Sequence, residues 1–418
     1  MRHTDRQLHE TWYEWTLSNG LQVTLFAKPH FATSCVMLTC PVGSLHEAGD
    51  DDEPAGIAHF LEHKLFEHDG ADTTHAFSLL GAAVNAWTSY EETVCYFETA
   101  ATDIQKPLLL LLSFLNQRAW QKASVEREKG IILEEHRSYM QDPDNRLFLE
   151  TMRSLYPGHP IGNDITGTQA SIMQISPAQL QRFYARHYTP ANMHLTLVTP
   201  QKPERIFTCL EQWAQTNEVR FPSTKPPARV LTAADVGIRA FHSFSMPAES
   251  GRTMVGYRLP VLSANPRRRM KAEWEIRIAL ELWFSPLHAA YQTWLDQKRI
   301  SVNFGYDLSV FHDLCYVLFF DEQQDADFPA WLDRQLTDLK HARISPEPFA
   351  AIQKRLYGEI VQAFDTPAQL CEIVSDHALY GVTLFDELRL LRKITADSCM
   401  KQIQKTDFSV RTATILQI

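Results

Sequence analysis

The chain is expected to fold as an α+β protein made of two similar α/β-sandwich domains of about 200 residues each. Three observations carry that expectation. Its 418 residues exceed what a single core of ordinary size needs. The stretch Val219-Arg220-Phe221-Pro222-Ser223-Thr224-Lys225-Pro226-Pro227 reads as a proline-rich break, placing the first domain at 1–220, a linker at 221–236 and the second domain at 237–418. The order of elements also recurs after the break. Strand-like Ile238 to Met246 and Thr253 to Leu259 precede a long helix from Pro266 to Phe284 and a helix from Ser285 to Gln297. Strands Ser301 to Val310 and Leu314 to Phe320 follow, then a helix from Ala326 to Lys340. A short echo fits this period: Val84-Asn85 followed by Cys95-Tyr96 reappears as Val302-Asn303 followed by Cys315-Tyr316.

Composition narrows the function classes. Hydrophobic residues at 44% and charged residues at 22% are ordinary for a globular chain. A formal charge of −10 argues against a nucleic-acid surface. The basic run Arg267-Arg268-Arg269 with Lys271 reads as a solvated helix start. Met1 to Arg6 lacks the apolar core of a secretory signal, and the apolar stretch Pro107 to Leu115 is too short to span a bilayer. Seven cysteines without C-x-x-C spacing point to reduced thiols and a cytoplasmic location, with no membrane partner.

Chemistry concentrates in His59-Phe60-Leu61-Glu62-His63. On a helix, His59 and His63 lie one turn apart and about 40° apart around the axis, so both imidazoles can reach one metal ion. Zn²⁺ is the usual occupant of such a pair. Glu62 stands beside the second histidine in the H-x-x-E-H order found in zinc peptidases. A catalytic zinc needs a third protein ligand and an open position. Downstream, Ser124 to Met140 reads as a helix, with Ser124 as N-cap and a partial apolar stripe of Ile131, Ile132 and Tyr139. Glu128 and Glu135 fall within about 20° of each other on its surface. From residue types alone that pair could equally be a solvated acidic face.

Several further segments accompany these: Leu17-Ser18-Asn19-Gly20-Leu21-Gln22-Val23, Val42-Gly43-Ser44, Gly81-Ala82-Ala83-Val84-Asn85-Ala86-Trp87-Thr88, His159-Pro160-Ile161-Gly162 and Phe183 to Met193. In this order they resemble the M16 family of pitrilysin-type (inverzincin) zinc metallopeptidases over roughly residues 15 to 200. The run His63-Lys64-Leu65-Phe66-Glu67 is similar to the bacterial half-length branch. The resemblance implies antiparallel-rich sheets packed by helices and one Zn²⁺ per chain. It implies that the second of two glutamates seven apart is the third ligand. Glu135 is chosen over Glu134 because it shares a face with Glu128. The interval from His63 to Glu135 is slightly shorter than in the family pattern, as a trimmed loop would make it.

With His59, His63 and Glu135 as ligands, zinc would acidify a bound water and polarise a peptide carbonyl. Glu62 would take the water's proton and pass it to the leaving amine. Glu128 would orient a ligating histidine. Asn85 and Ala86, on an edge strand, would hold an extended peptide by strand addition. The second half lacks H-x-x-E-H, and His288, His312, His341 and His377 are scattered. It resembles the silent domain that closes over the substrate and often adds an Arg and a Tyr. Arg299 and Tyr306 occupy that region, although Asp296 stands where many members carry Arg. The implied activity is zinc-dependent endopeptidase action on short or unfolded peptides in a closed chamber, including precursor or leader processing. A homodimer, or a heterodimer with a paralogous chain, would complete the chamber. The alternative is a non-catalytic peptide-binding or structural subunit of a heterodimeric peptidase.

Overall fold

The computed structural model describes residues 1–418 apart from 48–51, 69–70, 117–119, 218–236 and 312. The expected linker at 221–236 and His312 therefore lie outside the described residues. The first half contributes β1 (Arg2–Asp5), β2 (Glu10–Thr16), β3 (Gln22–Ala27), β4 (Ser34–Cys40), the short ribbon β5 (Glu67–His68) with β6 (Ala71–Asp72), β7 (Ala82–Thr88), β8 (Thr93–Thr99) and β9 (His194–Thr199). The second contributes β10 (Phe241–Ser245), β11 (Arg252–Leu259), β12 (Gly305–Val310), β13 (Cys315–Asp321) and β14 (Val410–Gln417).

The first sheet has the order β1-β2-β3-β9-β4-β8-β7 and the second β10-β14-β11-β13-β12. Within them β3-β9-β4-β8-β7 and β10-β14-β11-β13-β12 share one topology. The opening strand of each runs parallel to the closing one, and every later neighbour is antiparallel. The repeat read from the sequence is therefore present at the level of elements. The dipeptide echo is not equivalent residue for residue. Thr93 opens β8 where Cys315 opens β13, and Asn85 faces Tyr96 while Ser309 faces Tyr316. Asn303 precedes β12 and donates from Nδ2 to Glu322 at 2.6 Å. The helix expected from Ser285 to Gln297 is shorter, Tyr291–Asp296, with turns before it.

One face of the first sheet is apolar. Val23, Leu25, Val36, Leu38, Phe97, Leu195 and Leu197 lie on it in a buried cluster with Ile57, Phe60 and Leu61 of the helix Ile57–Leu65. Each such side chain contributes about 1.5–3 kcal/mol when fully buried. The other face, lined by Cys35 and Thr196 among others, is covered by the helix Pro367–Leu379. There Cys371 Sγ donates to the Cys35 carbonyl at 3.2 Å and Ser375 Oγ to Thr196 Oγ1 at 2.9 Å. The second sheet instead receives the helix Pro143–Leu155 from the first half; Arg239 N donates to Ser154 O at 2.9 Å beside it.

Two compact units result, and they are interleaved along the chain. One comprises Met1–His136, Asp164–Arg229 and Gln362–Leu384, the other Arg137–Asn163, Val230–Val361 and Phe385–Ile418. The expected boundaries 1–220 and 237–418 do not coincide with them, because each sheet draws a covering helix from the other half of the sequence. Proline spacing reports chain breaks and carries no signal of this exchange.

Candidate metal centre

The helix Ile57–Leu65 sits between β4 and β7 in sequence and packs on the β7–β8 hairpin. Its N-terminus is fixed from outside. Gly56 has φ +89°, and a Cβ there would lie 2.2 Å from the Thr166 carbonyl oxygen. The backbone N–H groups of Gly56 and Ala58 donate to the two carboxylate oxygens of buried Glu47, each at 2.9 Å. A carboxylate there satisfies orphan donors and complements the helix dipole. Glu47 lies outside any local motif, so its role follows from tertiary contact alone.

His59 is buried and His63 half-buried, with ring centroids 4.7 Å apart. The helix Lys122–Gln141 brings Glu135 between them. His59 Nε2 lies 3.6 Å from Glu135 Oε1, and His63 Nε2 lies 3.4 Å from Glu135 Oε2. One ligand atom from each of these residues falls within 4.8 Å of the others. Bond lengths near 2.05 Å in a tetrahedral zinc site separate neighbouring ligand atoms by about 3.3 Å. The observed separations fit that set, as does its chemistry of two imidazoles and one carboxylate. Glu134, the neighbouring candidate, is absent from this cluster.

Surrounding charges reinforce the arrangement. Burial alone would lower the His63 imidazole, but hydrogen bonds with Glu128 and Glu135 and the charge of Glu62 push it up to about 9. His59 and His63 together hold the Glu135 carboxyl well below its usual range. The His63 hydrogen bond holds Glu128 down as well. His63 Nδ1 lies 3.0 Å from Glu128 Oε1, so an Nδ1–H donating there leaves Nε2 facing Glu135. Glu62 is buried beside the pair, and Thr88 Oγ1 donates to its Oε2 at 2.7 Å.

Other expected residues are placed as follows. Ala86 shares the Thr88 face of edge strand β7, while the alternation of the strand sends Asn85 to the opposite face. Asn85 is exposed, and its Oδ1 accepts from the Ala86 N–H at 2.8 Å. In the second unit Tyr306 is engaged: its hydroxyl donates to Glu281 Oε2 at 2.8 Å. The Arg299 side chain is exposed. Ser124 is not an N-cap but lies inside the helix, with its hydroxyl bound to Lys64 and Glu67. The apolar stripe of that helix runs through Val125 and Ile132, leaving Ile131 and Tyr139 exposed. Sequence reasoning missed Glu47, Thr88, Lys64, Glu67 and the hydroxyl role of Ser124.

Comparison with known proteins places the chain in a family. Residues 22–169 match the family model for insulinase (peptidase family M16), and residues 174–271 match the model for the M16 inactive domain. A solved M16-like peptidase from Alicyclobacillus acidocaldarius superposes with a TM-score of 0.85 at 26% identity, covering 97% of both chains. The chain belongs to the M16 peptidase family. It is of the half-length, two-domain type. The zinc protease YmfH of Bacillus subtilis is 28% identical over 96% of this M16 chain and 94% of its own. The beta subunit of the mitochondrial-processing peptidase of Lentinula edodes is 32% identical over 43% of the chain and 39% of that protein. No helix among the described residues is long and apolar enough to cross a membrane.

Proposed function

We propose that this M16 chain is a zinc-dependent endopeptidase acting on short or unfolded peptides, with precursor or leader processing as one use. The observation that carries the proposal is the convergence of His59, His63 and Glu135 beside Glu62. His59 and His63 through Nε2, with a Glu135 oxygen, would hold one Zn²⁺. When bound, the ion supplies Lewis-acid polarisation of a peptide carbonyl and activation of water. The protein's own residues do the rest. Thr88 fixes Glu62 Oε2, leaving Oε1 to accept the proton of the attacking water and return it to the leaving amine. Glu128 sets the tautomer and angle of His63. The free edge of β7 offers backbone groups to an extended peptide, with Asn85 and Ala86 on that edge.

The second unit serves this reading as a silent domain, and a second copy or a paralogous chain completes an enclosure that excludes folded substrates. A cytoplasmic site of action is supported by the seven cysteines, all free and buried. The test is metal analysis together with cleavage of a quenched peptide by wild type and Glu62→Gln, alone and with any co-purifying partner. Stoichiometric zinc with Glu62-dependent cleavage supports the proposal. Zinc without such cleavage refutes it and favours a non-catalytic peptide-binding subunit.

A further inference from the structure

Lys64 follows the second histidine directly and has 1% side-chain exposure, although lysine is among the residues least often fully buried. A buried ammonium persists when it is paired and hydrogen-bonded. Lys64 Nζ donates to Ser124 Oγ at 2.6 Å and to Glu67, and Ser124 Oγ also donates to Glu67. Glu67 and Ser124 thus already give the ammonium a partner and an acceptor. Its third contact does something else. Lys64 Nζ lies 3.5 Å from Glu128 Oε2, while the other oxygen of that carboxylate, Oε1, meets His63 Nδ1 at 3.0 Å. One carboxylate is therefore held at both ends, by a buried cation on one oxygen and the imidazole on the other. The backbone anchors the same point: Trp120 Nε1 donates to the Lys64 carbonyl at 3.0 Å.

We propose that Lys64 is a positioning residue for the metal centre. It fixes the Glu128 carboxylate so that His63 presents Nε2 towards Glu135. The inference rests on the zinc reading of His59, His63 and Glu135, and adds a determinant outside the motif. Chain geometry supports it. A side chain one position after His63 points about 100° away around the helix, into the interface with the helix carrying Glu128 and Glu135. Lys64 thus meets Ser124 and Glu128 while His63 meets Glu128 and Glu135, all on one face of that second helix. Glu67 balances the ammonium, so removing Glu67 leaves Lys64 with Glu128 as its remaining carboxylate.

The experiment measures the zinc dissociation constant by chelator competition and the visible spectrum of the Co²⁺-loaded protein, at constant pH. Lys64→Met should weaken zinc binding about tenfold and shift the Co²⁺ bands, as loss of a residue supporting a ligand does. Lys64→Arg should recover part of the affinity. The double variant Lys64→Met/Glu128→Gln should bind zinc no more weakly than Glu128→Gln alone, because both act through one carboxylate. Glu67→Gln should leave the affinity unchanged or tighter. If Lys64→Met does not fold, Lys64→Met/Glu67→Gln removes the stranded carboxylate and carries the same comparison. A zinc affinity unchanged within about twofold in the folded Lys64 variant overturns the proposal. Multiplicative losses in the double variant overturn it too. A wild-type chain that binds no zinc overturns the metal reading itself, and is recognised because every variant then behaves alike.

Discussion

The two units place a helix and an edge strand in the same topological positions and charge them differently. In the first, the helix Ile57–Leu65 follows β4 and meets β7, and the Thr88 hydroxyl donates to Glu62. In the second, the helix Pro266–Trp283 follows β11, and Tyr306 on β12 donates to Glu281 of that helix. Both scaffolds thus hold a helix glutamate with a strand hydroxyl. The difference lies in what else reaches the carboxylate. Arg355 Nη2 pairs with Glu281 Oε1 at 2.7 Å, and Arg277 pairs with Glu273 one turn away. Glu281 has both oxygens committed, whereas Glu62 keeps one oxygen beside two imidazoles. In the proposed reading, a framework carboxylate becomes a general base by the absence, among the described residues, of a paired cation as much as by the neighbouring ligands.

The largest expected effect breaks that comparison if it is wrong. Glu62→Gln should reduce cleavage of a quenched peptide by about 10²- to 10⁴-fold while retaining zinc, the range of general acid–base catalysis. Glu281→Gln should change the same rate by less than about threefold, since its role is framework pairing. Next, Glu135→Gln should abolish the thermal stabilisation by zinc. In wild type that amounts to about 2.7 kcal/mol at one hundred times the dissociation constant, measurable by calorimetry.

A smaller effect concerns the turn joining β7 to β8. Burial raises the Glu92 carboxyl to about 7, and the nearby acids Asp376, Glu91 and Glu372 push the same way against a hydrogen bond from Trp87. The folded-state value lies above the unfolded one, so the stability it contributes is present below about 4.5 and is lost as pH rises through about 7. Chemical denaturation of Glu92→Gln should show a flatter profile. At pH 8 the variant should be more stable than wild type by on the order of 1–3 kcal/mol. The smallest effects sharpen the strand–helix comparison. Thr88→Val should lower kcat about tenfold by releasing Glu62, a loss of about 1.4 kcal/mol. Tyr306→Phe should cost about 1 kcal/mol of stability and leave kcat unchanged.

What could be read from the sequence was local. His59, Glu62 and His63 lie within a single helical turn, so spacing places them; Glu128 and Glu135 share a face by the same arithmetic. The division into two repeated sheets followed from the order of elements. Reading failed where a role depends on a neighbour distant in the chain. Glu47 caps a helix nine residues on, Ser124 faces Lys64 rather than its own helix end, and Asn303 belongs to a turn that no dipeptide match could locate. The exchange of helices between the two halves has no composition signal, because the apolar residues of Pro143–Leu155 and Pro367–Leu379 do not say which sheet they will cover.

That exchange has a consequence for synthesis. The sheet that contains β7 and packs against the helix Ile57–Leu65 has its reverse face covered by Pro367–Leu379. A chain emerging from the ribosome delivers His59, Glu62, His63 and Glu135 long before it delivers this helix. The sheet then awaits its cover until residues 367–379 have been translated, so a product cut short before them carries the proposed ligands but not the finished unit.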